Sequence, residues 1–460
     1  MAGIERGARW GWLALVMGAL GLLLAGCGHT FPGANTAPPS GWTDITPPDS
    51  GQSAQYAVSP DIPGLIVALI GGRAQASADP PPDARLWRSQ DGGATWQSLD
   101  SLTPRSGSYL FMPSGGHGLV ISLDTLETSV SVSRDEGSTW RTKPLNLPNN
   151  EPGMEEVNLL YGAVSVGGRL YSGGGGHLSA SDDGGLTWRT NETGPDPLNA
   201  SMGTAAIAPL DASGSSWLRL ASQSNGAVAQ SAIERSDDGG ATWRVVTQQL
   251  PVASGPVFSA QFAASAAHRG RVCLAMTVED SNPNVAAAPT VTPASTAPPQ
   301  PTVSPGKQGD VSYPPPQEKD VALLASDDGG QTWHGGVVEA LRRRYGDIVQ
   351  PDVGMSADGS CYLATSQASN PFGVGAYTLA TLWRLAPGAT QPQAQWAMAG
   401  RGLLYLALAP GGPGSTERII ALTRIAGPGD GDAESCGPGC TTLHDGGGYR
   451  LIWQPLSPRG

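Results

Sequence analysis

Two charged clusters hold the side chains best suited to chemistry. Arg342, Arg343, Arg344 and Tyr345 stand in a row, with Asp347 just beyond. Guanidinium groups set side by side can grip a carboxylate or a phosphate bidentately. Glu151, Glu155 and Glu156 form the second cluster. Paired carboxylates with a tyrosine are residue types that glycoside hydrolysis can use. For each cluster the plainer alternative is a solvated loop. No Gly-x-Ser-x-Gly elbow and no His-Glu-x-x-His pair occurs. The six histidines (His29, His117, His177, His268, His334 and His444) sit beside glycines, in turns or next to a tryptophan. They read as surface or peripheral groups. No metal site or cofactor is expected.

A third set of acidic residues is far more regular. Five segments share the pattern Ser-x-Asp-x-Gly-x-Thr-Trp: Ser89, Asp91, Gly93, Thr95, Trp96; Ser133, Asp135, Gly137, Thr139, Trp140; Ser181, Asp183, Gly185, Thr187, Trp188; Ser236, Asp238, Gly240, Thr242, Trp243; and Ser326, Asp328, Gly330, Thr332, Trp333. Such self-similarity marks a repeat architecture. Apolar alternation precedes each copy, as in Leu86-Trp87 and Val321-Ala-Leu323, so a strand enters the turn. The Asp carboxylate can accept backbone N–H groups of the turn that follows it. Glycine permits the positive φ that the reversal needs. Threonine and tryptophan then open an outgoing strand, and the indole brings buried area to a small sheet. Each copy therefore predicts one hairpin pinned to its neighbour.

This pattern resembles the Asp-box (BNR) repeat of sialidases, sortilin-type ectodomains, xyloglucanase-type glycosidases and photosystem II assembly-factor propellers. The resemblance implies an all-β chain folded as a β-propeller, with each box between the third and fourth strands at the blade periphery. It makes the five aspartates structural rather than catalytic. Sialidases grip the substrate carboxylate with three arginines, one from a Phe/Tyr-Arg-Ile-Pro motif ahead of the first box. That motif is absent here, where only Arg73, Arg85 and Arg88 precede Trp96 beyond the leader. The likeness thus covers the scaffold and stops short of the chemistry.

The copies begin 44, 48, 55 and 90 residues apart. The last gap holds a Pro/Thr/Ala-rich insert at about 281–319, whose composition cannot bury enough surface to fold. Five blades are read at 53–100, 107–147, 158–192, 204–250 and 257–340. A sixth lacks a proper box but keeps the echo Leu382-Trp383-Arg384, and a seventh starts at Gly402. Gly41-Trp42-Thr43-Asp44-Ile45 resembles the outgoing strand after a box, and is expected to complete the last blade and close the ring. The expectation is seven four-stranded blades, with six as the alternative. Residues 73–83, 281–319, 369–377 and 426–446 then all fall between second and third strands. One face is elaborated and the other keeps short turns, such as the one at Asp61. The elaborated face, with both charged clusters, is the expected binding face.

Arg6 and Arg9 precede an apolar run, Trp10 to Leu24, that ends at Leu24-Ala25-Gly26-Cys27. The run is shorter than a membrane span requires and closes like a signal peptide. The four-residue ending resembles a bacterial lipobox, which implies lipidation of Cys27. The expected organisation is a leader at 1–26, a tether at 27–40 and one propeller domain at 41–460, on the outer face of the bacterial cytoplasmic membrane or cell surface. Export permits disulfides. Cys436 and Cys440 flank a short Gly/Pro loop that a bridge could close, while Cys273 and Cys361 are scattered singly. The net charge of −12 argues against nucleic acid as a partner. The expected function is a non-catalytic, monomeric binding or assembly propeller for a protein or glycan partner. The alternative is a sialidase-like or related glycoside hydrolase.

Overall fold

The computed structural model describes residues 40–48, 54–70, 85–99, 109–123, 129–144, 163–174, 177–190, 206–224, 229–252, 257–265, 268–279, 319–338, 353–368, 377–399, 401–411, 416–425 and 449–456. Each repeated turn in it closes on itself before it packs on anything else. In all five, the serine hydroxyl donates to the aspartate Oδ1 at 2.8–2.9 Å and accepts the amide of the fifth-position glycine at 2.7–2.8 Å. The threonine amide donates to the same Oδ1 at 2.8–2.9 Å, and its hydroxyl donates to Oδ2 at 2.5–2.8 Å. That glycine cannot be replaced freely. Gly330 carries φ +88°, and a Cβ there would come within 2.8 Å of the Leu218 side chain.

The strands on either side of these turns form seven four-stranded antiparallel sheets. Blade 1 comprises Ala54–Val58, Ile66–Ile70, Arg85–Ser89 and Gln97–Leu99; blade 2, Tyr109–Phe111, Val120–Leu123, Ser129–Ser133 and Arg141–Pro144. Blade 3 comprises Val164–Val166, Arg169–Gly174, His177–Ser181 and Arg189–Thr190; blade 4, Ile207–Pro209, Trp217–Ser224, Ala229–Ser236 and Arg244–Thr247. Blade 5 comprises Val257–Ala264, Val272–Glu279, Lys319–Ser326 and His334–Val337; blade 6, Val353–Met355, Cys361–Ala368, Tyr377–Leu385 and Gln393–Ala399. Blade 7 takes Arg401–Ala409, Arg418–Ile425 and Tyr449–Pro455, and its outermost strand is Thr43–Asp44 from the N-terminal side. First strands adjoin in order around the ring, and blade 7 meets blade 1. The molecule is a seven-bladed β-propeller, so the six-bladed alternative falls away.

The apolar core is divided into seven clusters, one at each seam between neighbouring blades. A tryptophan on or just before the outer strand enters six of the seven seams: Trp96, Trp140, Trp188, Trp243, Trp333 and Trp42, each against the preceding blade. Four of these indoles donate to the carbonyl of their own turn glycine at 2.9–3.1 Å. Trp96 instead donates to Ile45 O at 3.0 Å. Trp42 stands edge-on to Trp396 of blade 6 with centroids 5.0 Å apart, while Ile45 lies beneath Gly93 of blade 1. The closing segment therefore ties blades 6, 7 and 1 together. In register, Thr43 faces Trp453 and Asp44 faces Ile452.

The remaining seam, between blades 5 and 6, lacks an outer-strand tryptophan among the described residues. It contains the partly buried Trp383 from a third strand and a disulfide between the fully buried Cys273 and Cys361. The two cysteines, read in the sequence as scattered singles, occupy the second strands of adjacent blades. Their Cα atoms are 5.6 Å apart although 88 residues separate them in the chain. Cys436 and Cys440 lie outside the described residues.

Blade 4 buries an ion pair. Arg219 and Glu234 face each other in register in blade 4, with Nε 2.5 Å from Oε2, and their side chains are 2% and 0% exposed. The Arg219 guanidinium lies 4.4 Å from the Trp243 ring centre.

Replacing Cys273 and Cys361 together by alanine should lower the urea midpoint, with a loss of up to about 4–5 kcal/mol for so long a closed loop. An unchanged midpoint would assign the seam's strength to its apolar packing. Arg219→Met should cost about 3–5 kcal/mol by stranding Glu234, and adding Glu234→Leu should recover most of it. Denaturant unfolding of the single and double variants checks both steps.

Candidate functional site

The first strands line the central channel, and their last residues run into the turns that lead to the second strands. Those turns share a face with the repeated hairpins. Gly92 N donates to Gly64 O at 2.9 Å, Gly239 N to Ser215 O at 2.8 Å and Gly329 N to Gly270 O at 2.8 Å, each within one blade. At this face the channel opens into a cavity of about 1010 Å³ to which all seven blades contribute. Its wall includes Met112, Val164, Phe262, Met355 and Leu408, with polar positions at Ser114, Ser165 and Gln261.

Three carboxylates enter the lining: Asp61 from blade 1, Asp211 from blade 4 and Glu417 from blade 7. Each is wired to backbone donors. Asp61 accepts the amides of Gly115 (3.0 Å) and His117 (3.1 Å) from blade 2. Glu417 accepts the Ala357 amide of blade 6 with both oxygens, at 2.8 and 2.9 Å. Asp211 accepts the amides of Ser213, Ser215 and Ser216 and the hydroxyls of Ser213 and Ser215, at 2.6–3.1 Å. Burial pushes the Asp211 carboxyl up, but these donors outweigh it and hold the group below the usual carboxylate range. Glu417 goes the other way. Burial raises it, the Ala357 amide opposes, Asp358 adds to the rise and His268 lowers it.

The rim is stitched from blade to blade. Ser165 N of blade 3 donates to Ser114 O of blade 2 at 2.7 Å, and Val353 N of blade 6 donates to Gln261 Oε1 of blade 5 at 3.1 Å. His268, read in the sequence as a surface group, is partly buried. Its Nε2 lies 2.7 Å from Ala357 O, and Arg271 beside it donates from Nε to Gly359 O at 2.5 Å and from Nη1 to Asp327. The mouth is thus a rigid ring of turns.

This cavity lies on the face with short turns, opposite the ends of the long connections. Residues 71–84, 280–318, 369–376 and 426–448 do join second to third strands. Arg342, Arg343, Arg344, Tyr345, Asp347, Glu151, Glu155 and Glu156 lie outside the described residues, as does Cys27. Sequence reasoning passed over Asp61, Asp211 and Glu417. For Asp211 a signal existed: Asp211, Gly214, Ser215 and Trp217 reproduce the repeat's chemistry at altered spacing. Ser215 binds the carboxylate as the repeat threonine does, and Trp217 Nε1 donates to Gly214 O at 2.8 Å.

No family model matches the chain, and no curated protein matches it. Solved structures are similar to it across most of its length. Ycf48 bound to a D1 peptide shares 13% identity, covering 92% of this chain and 96% of that one, with a TM-score of 0.44. A GH74 xyloglucanase from Xanthomonas campestris shares 14%, covering 80% and 50%, with a TM-score of 0.39. An α-L-arabinofuranosidase from Fusarium graminearum shares 11%, covering 90% and 96%, with a TM-score of 0.38. Likeness at this level carries neither activity nor partner to this chain.

In the repeated turns burial raises Asp91, Asp135, Asp183 and Asp328, but the threonine and serine donors outweigh it and lower all four; in Asp238 the Thr242 hydroxyl leads. Carboxyls depressed in the folded state add stability that is complete above their unfolded value, near pH 4, and is lost as pH falls through the folded value. The melting temperature should therefore drop as pH falls below about 4. Asp328→Asn should melt lower at neutral pH and show a shallower acid slope. Calorimetry across pH 2.5–7 would expose a parallel slope if the turn were not the source.

Proposed function

We propose that this chain is an exported, lipid-anchored propeller of the Asp-box type that works as a binding or assembly module for a protein or glycan partner at the cell surface. What carries the reading is the channel mouth: a roomy cavity whose rim is tied by hydrogen bonds between blades and in which the Asp211 carboxylate is spent on holding its own turn. A preorganised rim of this kind suits recognition of shape and charge, because little ordering is left to be done on binding. Export is supported by the apolar leader ending at Cys27 and by the buried Cys273–Cys361 disulfide, a bond characteristic of oxidising compartments.

One observation favours hydrolysis as the second reading. Glu417 lines the cavity and its carboxyl is raised by burial, which is the direction a general acid requires.

Two measurements test the proposal. In a bacterial host Cys27→Ala should move the protein out of the membrane fraction and abolish its labelling by fatty acid; an anchored variant would refute the lipid anchor. The purified domain should leave a panel of fluorogenic glycosides uncleaved. Turnover lost in Glu417→Gln would replace the binding module with a hydrolase.

A further inference from the structure

We propose that the channel-mouth cavity on the hairpin face receives a Lys- or Arg-bearing segment of a protein partner, a reading that rests on the binding function above. Charge comes first. Among the described residues, the ionisable groups in the lining are Asp61, Asp211, Glu417, His117 and one guanidinium, that of Arg134. Arg134 sits over Gly184 of blade 3. Asp61 and Glu417 stand on the adjoining blades 1 and 7, and Asp211 of blade 4 lies across the ring from them.

Capacity comes second. A carboxylate has about four acceptor positions. Each oxygen of Asp61 takes one amide, and the two oxygens of Glu417 share one. Both groups keep lone pairs for an incoming ammonium or guanidinium. Asp211 takes five donors, so it supplies charge rather than a bond.

The wall chooses the form of the cation. Val164, Met355 and Leu408 are partly exposed apolar surfaces beneath the acidic rim. A bare metal ion gains nothing from them. A lysine or arginine lays an apolar stem on such a surface and keeps its charged head above it. A peptide also fills a cavity of about 1010 Å³, which an ion does not.

The experiment uses the disulfide-bonded domain and fluorescence anisotropy with two labelled peptides, one alternating Lys and Leu, the other carrying Gln for each Lys. The cationic peptide should bind at least about tenfold more tightly than the neutral one, and raising salt from about 50 to 500 mM should remove most of that difference. Asp61→Asn with Glu417→Gln should weaken binding about tenfold; because both residues also hold turns, Ser114→Lys provides a second variant. Ser114 is exposed at the mouth, so a lysine there opposes the peptide without disturbing a buried group. Ser98→Lys, on the outer strand of blade 1, adds the same charge at the rim of the disc and should leave affinity unchanged. Equal binding of the two peptides, indifference to Ser114→Lys, or full competition by millimolar calcium overturns the inference. Those results leave the binding function standing with its seat elsewhere, whereas glycoside turnover removes the function itself.

Discussion

A four-stranded sheet of two- to nine-residue strands has no interior. Both of its faces are apolar here, and neither can be satisfied within one blade. The constraint on this chain is therefore the seam: each blade must find a neighbour on either side, and the neighbours must come round to meet. The outer-strand tryptophans meet that demand. Trp42, Trp96, Trp140, Trp188, Trp243 and Trp333 cross from their own blades into the clusters shared with the preceding blades, and in four seams the indole N–H is satisfied by its own turn. A large apolar area is thereby buried without leaving a buried donor unmet. The Ser–Asp–Thr network beneath it sets the direction in which the tryptophan leaves the turn.

Two seams depart from the rule, and each is secured in another way. At the ring closure the hairpin is missing because the fourth strand arrives from the other end of the chain. Trp42 and Ile45 then reach three blades at once. A two-residue strand makes few ladder bonds, so side-chain burial rather than backbone pairing holds the closure. At the seam between blades 5 and 6 the described residues include no outer-strand tryptophan, and the Cys273–Cys361 bond stands among its core residues. That bond spans a stretch of chain containing the longest insert. There the entropy of the open chain is greatest, and a crosslink removes most of it.

These departures mark where the sequence was legible and where it was not. The hairpins could be read because their chemistry is local: serine, aspartate, glycine and threonine act within seven residues of one another. The closure strand could be read because it copies the residues that follow a repeat. The pairing of Cys273 with Cys361 could not, since it depends on two blades being neighbours in the ring and on their second strands sharing a level. The carboxylates of the mouth were missed for a related reason. Asp61 and Glu417 bond to the turns of adjacent blades, 54 to 60 residues away, and no local spacing announces such a partner. Long inserts drew attention to one face, while the other owes its cavity to turns that are short.

Shortness is what makes that second mouth suitable for recognition. A long loop must be ordered when it closes on a partner, at a cost that grows with its length. The first-to-second turns of blades 1, 2, 4 and 6 carry less of that cost, because each is already bonded to its own hairpin or to an adjoining blade. Their rigidity follows from the same economy that closes the ring. Amides of the blade 2 and blade 6 turns find their acceptors on the adjoining blades, in Asp61 and Glu417. Two of the mouth's negative charges are thus also ties between blades, Asp61 to Gly115 and His117 and Glu417 to Ala357. A surface that closes the fold in this way holds its negative charge at fixed positions whether or not a partner is present, and a cationic segment meets it already assembled.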